Sequence, residues 1–351
     1  MDVIEITTPT EILRIQCNTT LLAGDRKDHY KTHDNFFEQF TKIWLPLMLQ
    51  GRHKDAEKVW DKALEIASVY EDEHKNSIHK GTAYYFWGGT CVSSGDLDMG
   101  FHLMHQALEE DKKLTEATDG AVDFRKTPAY AFVKMDDMVL SQFFRNEVKQ
   151  VAAFVNNKLQ CYQKSIKGKL DISILRTKVL EDDNLGDVPF FLVYNFFRLK
   201  KLLDAKKEIR QNDFASLLQS QTIFGFCIVA EELLRNLWIK QERKNGSSTW
   251  PVYLNVFVSK KHLPNLTQDA AAKTNTNFNT DFSVTLRALL DSTYVYENGN
   301  KPSHIEEDLL ILYGFRNAAA HDLNSKKLVY ENFEKISQRV LNALFFIIEK
   351  G

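Results

Sequence analysis

The chain lacks any run of about 18 apolar residues, so no membrane-spanning helix is expected. Its start, Met-Asp-Val-Ile-Glu-Ile, has neither the basic nor the apolar segment of a signal peptide. Cysteine is scarce. The four present, Cys17, Cys91, Cys161 and Cys227, are far apart and form no Cys-x-x-Cys pair. This excludes a disulfide scaffold and reads as the reduced thiols of a cytoplasmic protein. Neither charge sign dominates: 45 Lys and Arg against 47 Asp and Glu give a net charge of −2. A globally basic nucleic-acid binder is therefore excluded, although a local basic patch is not. No glycine-rich phosphate loop follows a strand, and no Ser or Cys sits within a nucleophile motif. What the chain does have is apolar bulk. It contains 24 Phe in 351 residues, enough to bury a large core in two domains, or in one domain with a large extension.

The patterning is helical almost throughout, and an all-α fold is expected. Residues 1–34 contain Thr7-Thr8-Pro9-Thr10 and a polar His/Asp/Lys run, and read as a short helix or strand and a loop. From Asp34 a helical period begins with Phe36, Phe37, Phe40, Ile43, Trp44 and Leu47. Gly51, Ala56, Trp60 and Ala63 then place a turn glycine and alternating small and large side chains at the offsets of a helical hairpin. This resembles the second helix of a tetratricopeptide repeat. A second copy runs through Tyr84, Trp87, Gly88, Gly95, Gly100, Met104 and Ala107. The turn glycines Gly51 and Gly95 are 44 residues apart, longer than the usual repeat of about 34, so a long helix or an extra loop is expected near Glu71–Asn76. We divide the chain into a tetratricopeptide-like region (1–135), a helical connector (136–210) and a C-terminal helical bundle (211–351).

Within the first two regions, 111–135 reads as a connector, 139–159 and 189–209 as helices, and 181–187 as a solvated acidic turn without the spacing of a calcium loop. Within the third, 214–239 reads as a long helix, 250–258 as a short extended piece, 263–278 as a polar loop, and 281–290, 303–320 and 330–349 as helices.

The richest stretch is 301–323. Ser303 and Glu306 form a capping box, and Ile305, Leu309, Leu310, Leu312 and Tyr313 supply an apolar helix. That helix runs into Arg316-Asn317-Ala318-Ala319-Ala320-His321. Arg316, Asn317 and His321 resemble the Arg-x4-His motif of the HEPN superfamily of small helical RNases. Arg26 and His33 have a similar spacing, but in a polar stretch without an apolar helix.

Those residue types suit metal-free RNA cleavage. The ribose 2′-OH attacks its own phosphodiester, a base takes its proton, and an acid protonates the departing 5′-oxygen. Histidine titrates near neutral pH and suits the proton transfers. The permanently charged fork of arginine suits the phosphate. Asn317 is placed to orient either of them or the nucleotide. One chain offers one such His, so a homodimer is expected to compose the full site from two copies, an arrangement the resemblance implies as well. No metal and no cofactor is expected. The His102/His105 pair lacks further ligands near it in sequence. Glu231 and Glu232 lie in an apolar helix and need cations, with Arg316 and Arg235 available. Arg198, Lys200, Lys201, Lys206, Lys207 and Arg210 form a basic run suited to an RNA backbone, and Lys240, Arg243 and Lys244 form another.

Three readings stay open at this stage. The first is an endoribonuclease, for which the resemblance implies prokaryotic antiviral defence or a toxin system. The second is a non-catalytic scaffold, with a protein partner or regulator on the repeat-like helices and a bundle that only dimerises. The third is a nucleotide-binding bundle that regulates a partner enzyme.

Overall fold

The computed structural model describes residues 2–136, 140, 142–205, 213–242, 263, 265–317 and 326–351, with the side chains of 213, 238–242 and 326 left aside. Among the described residues the fold is all-α, with 14 helices and one two-stranded hairpin. Tertiary contacts divide the chain into two compact units, Met1–Gln150 and Val151–Gly351.

The first unit opens with β1 (Asp2–Thr7) and β2 (Ile12–Cys17), antiparallel with Ile4 opposite Ile15. The polar stretch expected to continue as a loop instead becomes helical at Arg26. Helix α1 (Arg26–Glu38) buries His33, Phe36 and Phe37 on one face, and that period is easily missed because a histidine occupies one of its inward positions. Two helical hairpins follow: α2 (Thr41–Leu49) with α3 (His53–His74), and α4 (Gly81–Ser94) with α5 (Leu97–Ala117). Helix α3 is long, at 22 residues, and a loop after it leads to α4. Gly51 and Gly95 adopt positive φ at the two turns, 71° and 87°. Helices α4 and α5 approach closely because Gly88 meets Gly100. A Cβ at Gly88 would lie 2.9 Å from the Gly100 carbonyl oxygen.

Trp44, Trp60, Phe86 and Phe144 form the centre of this core, with Trp60 stacked on Phe86 and the Trp44 indole donating to the Thr90 hydroxyl at 2.9 Å. The stretch expected to be a connector after α5 contains α6 (Pro128–Val133). Residues Ala129 to Val133 are all buried, so it is a core element despite its shortness. Helix α7 (Gln142–Ile166) carries the division between the units.

The second unit contains α8 (Ile172–Leu175), α9 (Val188–Asp204), α10 (Asp213–Glu242), α11 (Gln268–Thr280), α12 (Phe282–Leu290), α13 (His304–Asn317) and α14 (Lys326–Lys350). Helix α10 packs on α9, α13 and α14, while α13 also meets α11 and α12. The Phe214–Leu237 part of α10 is long and apolar enough to cross a membrane by composition, but more than half of it is buried as a core helix of this unit.

The expectation of a loop over 263–278 is wrong. Thr267 caps the Ala270 amide, and Ala271, Thr274 and Phe278 turn inward at spacings of three and four. Only one of those three is large and apolar, which hides a helix among Asn and Thr. The expected extended piece at 250–258 lies outside the described residues.

Candidate functional site

Helix α13 is buried from Ile305 through Phe315, and its first turn carries three consecutive buried acids. Each has partners, as burial of a charge requires. Glu306 accepts the amides of Asn265, Leu266 and Ser303 at 2.7–2.8 Å. The last of these is half of the expected capping box, while the Ser303 hydroxyl has no partner among the described residues. Glu307 accepts from Arg339 at 2.7 Å and from the Ser292 hydroxyl at 2.9 Å. Asp308 pairs with Arg339 and accepts from Asn342 at 3.0 Å. Burial raises the Asp308 carboxyl above the usual range, against the pull of Arg339 and Asn342. This anchoring fixes the axis of α13 and so the position of Arg316 at its far end.

Arg316 is clamped from α10. Its Nε donates to Glu231 Oε2 at 2.8 Å and its Nη2 to Glu231 Oε1 at 2.9 Å, a bidentate pair. The Nη1 donates to Asn317 Oδ1 at 3.0 Å, and Asn317 Nδ2 donates to Asn275 Oδ1 on α11 at 2.8 Å. The hydrogen bond to Glu231 raises the Arg316 pKa further above its ordinary value, outweighing the burial that lowers it, so the group is charged at every relevant pH. The pair is half-open: side-chain exposure is 41% for Arg316 and 29% for Glu231. A guanidinium has five N–H groups. Three are used by the described residues, and among these residues nothing takes the remaining N–H on each Nη. Buried Cys227 lies beneath and donates to the Leu312 carbonyl; burial pushes its thiol far up, so it stays a neutral packing group.

The structure thus gathers Arg316, Asn317 and Glu231. Glu232 instead pairs with Arg235 at 2.6 Å and accepts from Asn236. His321 lies outside the described residues, as do Lys206, Lys207, Arg210, Arg243 and Lys244. Of the expected RNA-contacting run, Arg198 sits over the Tyr194 ring, Lys200 pairs with Asp204, and Lys201 is exposed in the last turn of α9. Among the described residues, His102 and His105 belong to no group of three or more candidate metal ligands.

Sequence reasoning missed Asn275 because its helix was read as a loop. It missed Arg339 because an arginine in an apolar helix, read without a partner, looks like a surface charge; three successive acids 31–33 residues earlier were the signal. No family model, curated protein or solved structure matches the chain.

Proposed function

We propose that this protein is a metal-independent endoribonuclease acting at Arg316 and His321. The observation that supports it best is the posture of Arg316. Its guanidinium is oriented on two sides, by Glu231 and Asn317, yet remains partly open, with two N–H groups that no described residue takes. Such a group needs little reorganisation to receive the charge that grows on a phosphoryl oxygen. His321, five residues on, supplies the proton chemistry: as base it takes the 2′-OH proton, and its copy in a second chain protonates the 5′-oxygen. The P–O bond to the 5′-oxygen breaks as the 2′-oxygen bond to phosphorus forms. The products are a 2′,3′-cyclic phosphate and a 5′-OH end, and DNA, lacking the 2′-OH, is not cut. A homodimer through the second unit, a cytoplasmic setting and a role in antiviral defence or as a toxin belong to this reading. Incubation of the full chain with mixed RNA and DNA in EDTA, followed by end-group analysis, tests it.

A second reading has an observation of its own. A bidentate carboxylate already neutralises Arg316 and ties α13 to α10, which is what a structural ion pair does in a non-catalytic scaffold. Intact RNA in that incubation favours this second reading.

A further inference from the structure

The first unit holds a cavity of about 1070 Å³, at the upper end of ligand-sized pockets. It lies between α1, the starts of α2 and α4, and α5. Its innermost wall is ionic. His79 is buried, with Nδ1 3.2 Å from Asp34 Oδ1 and Nε2 3.1 Å from Asp111 Oδ1. Burial works against charge on this ring, but the hydrogen bonds it donates to Asp111 and Asp34 and the charges of both outweigh it and push its pKa up to about 9. Two carboxylates and one imidazolium leave a net negative charge at the floor.

One of those carboxylates is incompletely satisfied. Asp111 is only 7% exposed and accepts from His79 on Oδ1; among the described residues no hydrogen bond reaches its other oxygen, although the residue lines the cavity. Asp34, half-buried, takes both the His79 ring and the Thr82 hydroxyl on a single oxygen, Oδ1. The rest of the inner wall is aromatic and apolar, with Tyr85, Phe86 and Leu114. The cations of the cavity are elsewhere: Lys42 and Lys126 are exposed, at the mouth. Exposed Glu38 also lines the cavity, so the outer lining carries two cations and one anion, net positive outside against net negative inside.

We propose that this cavity binds a single guanidinium or ammonium group carried on an apolar stem, held charge-first by Asp34 and Asp111 against the aromatic wall. The aromatic faces suit the stem and, over their rings, the cation. The mouth lysines oppose a second positive charge at the far end, so a basic amino-acid side chain fits and a polyamine does not. That side chain comes from free arginine or from a peptide, and the volume leaves room for backbone on either side. This site lies wholly in the first unit and does not rest on the reading of Arg316.

Isothermal titration calorimetry of the full chain tests it, with L-arginine, a capped peptide carrying one arginine among glycines, and spermidine as probes. The expected result is one-to-one binding of the peptide, of free arginine or of both, the stronger identifying the source, with spermidine weaker than either binder. Asp34→Asn, checked for retained helix by circular dichroism, weakens that binding about tenfold or more. Lys42→Glu, at an exposed position, leaves the fold intact and narrows the gap to spermidine. The proposal is overturned by no heat from either arginine probe at about 10 mM, by spermidine binding best to the unaltered chain, or by both variants binding as it does.

Discussion

Arg316 gives three of its five N–H groups to Glu231 and Asn317, and no other described residue takes the remaining two. Glu231 is the residue that makes this division. Replacing it with Gln keeps the shape but removes the charge that aligns the fork. We expect Glu231→Gln to lower the RNA-cleavage rate by roughly 10–100-fold, as misplacement of a reacting group does, with the circular dichroism spectrum unchanged. A rate equal to that of the unaltered chain would leave Glu231 no role in positioning. His79 gives a pH prediction. Its pKa is raised in the folded protein to about 9 from the ordinary 6.5. A raised basic group contributes stability in full below its unfolded pKa, and that contribution is lost as pH rises through the folded value. Thermal unfolding should therefore lose stability between about pH 6.5 and 9, and His79→Gln should remove that part of the slope. The arginine, the asparagine after it and a glutamate for the clamp were all legible in the sequence, because charged residues beside apolar helical runs stand out. Asn275 and His79 were not. Their partners are 42 and 32 to 45 residues away, and no local pattern marks them.

At the scale of elements, close approach decides what tolerates change. Gly88 faces Gly100 across α4 and α5, and an added Cβ meets backbone there. Gly88→Ala should cost about 1–3 kcal/mol, read as a lower midpoint in urea. Helix α11 gives a sharper case. Phe278 is buried, and its ring lies against Gly314 of α13. Phe278→Ala should cost about 3–5 kcal/mol, whereas a residue in a surface loop would cost almost nothing. Amphipathic helices with several large apolar residues, such as α10 and α14, were readable from their period. Helix α11 was not, because two of its three inward side chains are Ala271 and Thr274, and its apolar anchor is a single phenylalanine. Helix α1 was obscured in the same way by buried His33. The acids that begin α13 show the limit of patterning in the other direction. Charges on all sides of a helix suggest solvent, yet here Arg339, Ser292, Asn342 and loop amides satisfy them inside.

For the whole molecule, the account joins a helical-hairpin unit with a ligand-sized cavity to a bundle that presents one oriented arginine. The proposed composite site requires two chains. Light scattering of the purified protein should therefore give twice the 40.6 kDa of one chain, and a monomer that cuts RNA would remove the need for a second histidine. The measurement that reaches the central claim most directly is cleavage of a defined RNA by the unaltered protein and by Arg316→Ala/His321→Ala, in EDTA, with both proteins shown to be folded. The account predicts 2′,3′-cyclic phosphate and 5′-OH ends from the first and intact RNA from the second. Equal cutting by the two, or none by either, would contradict it.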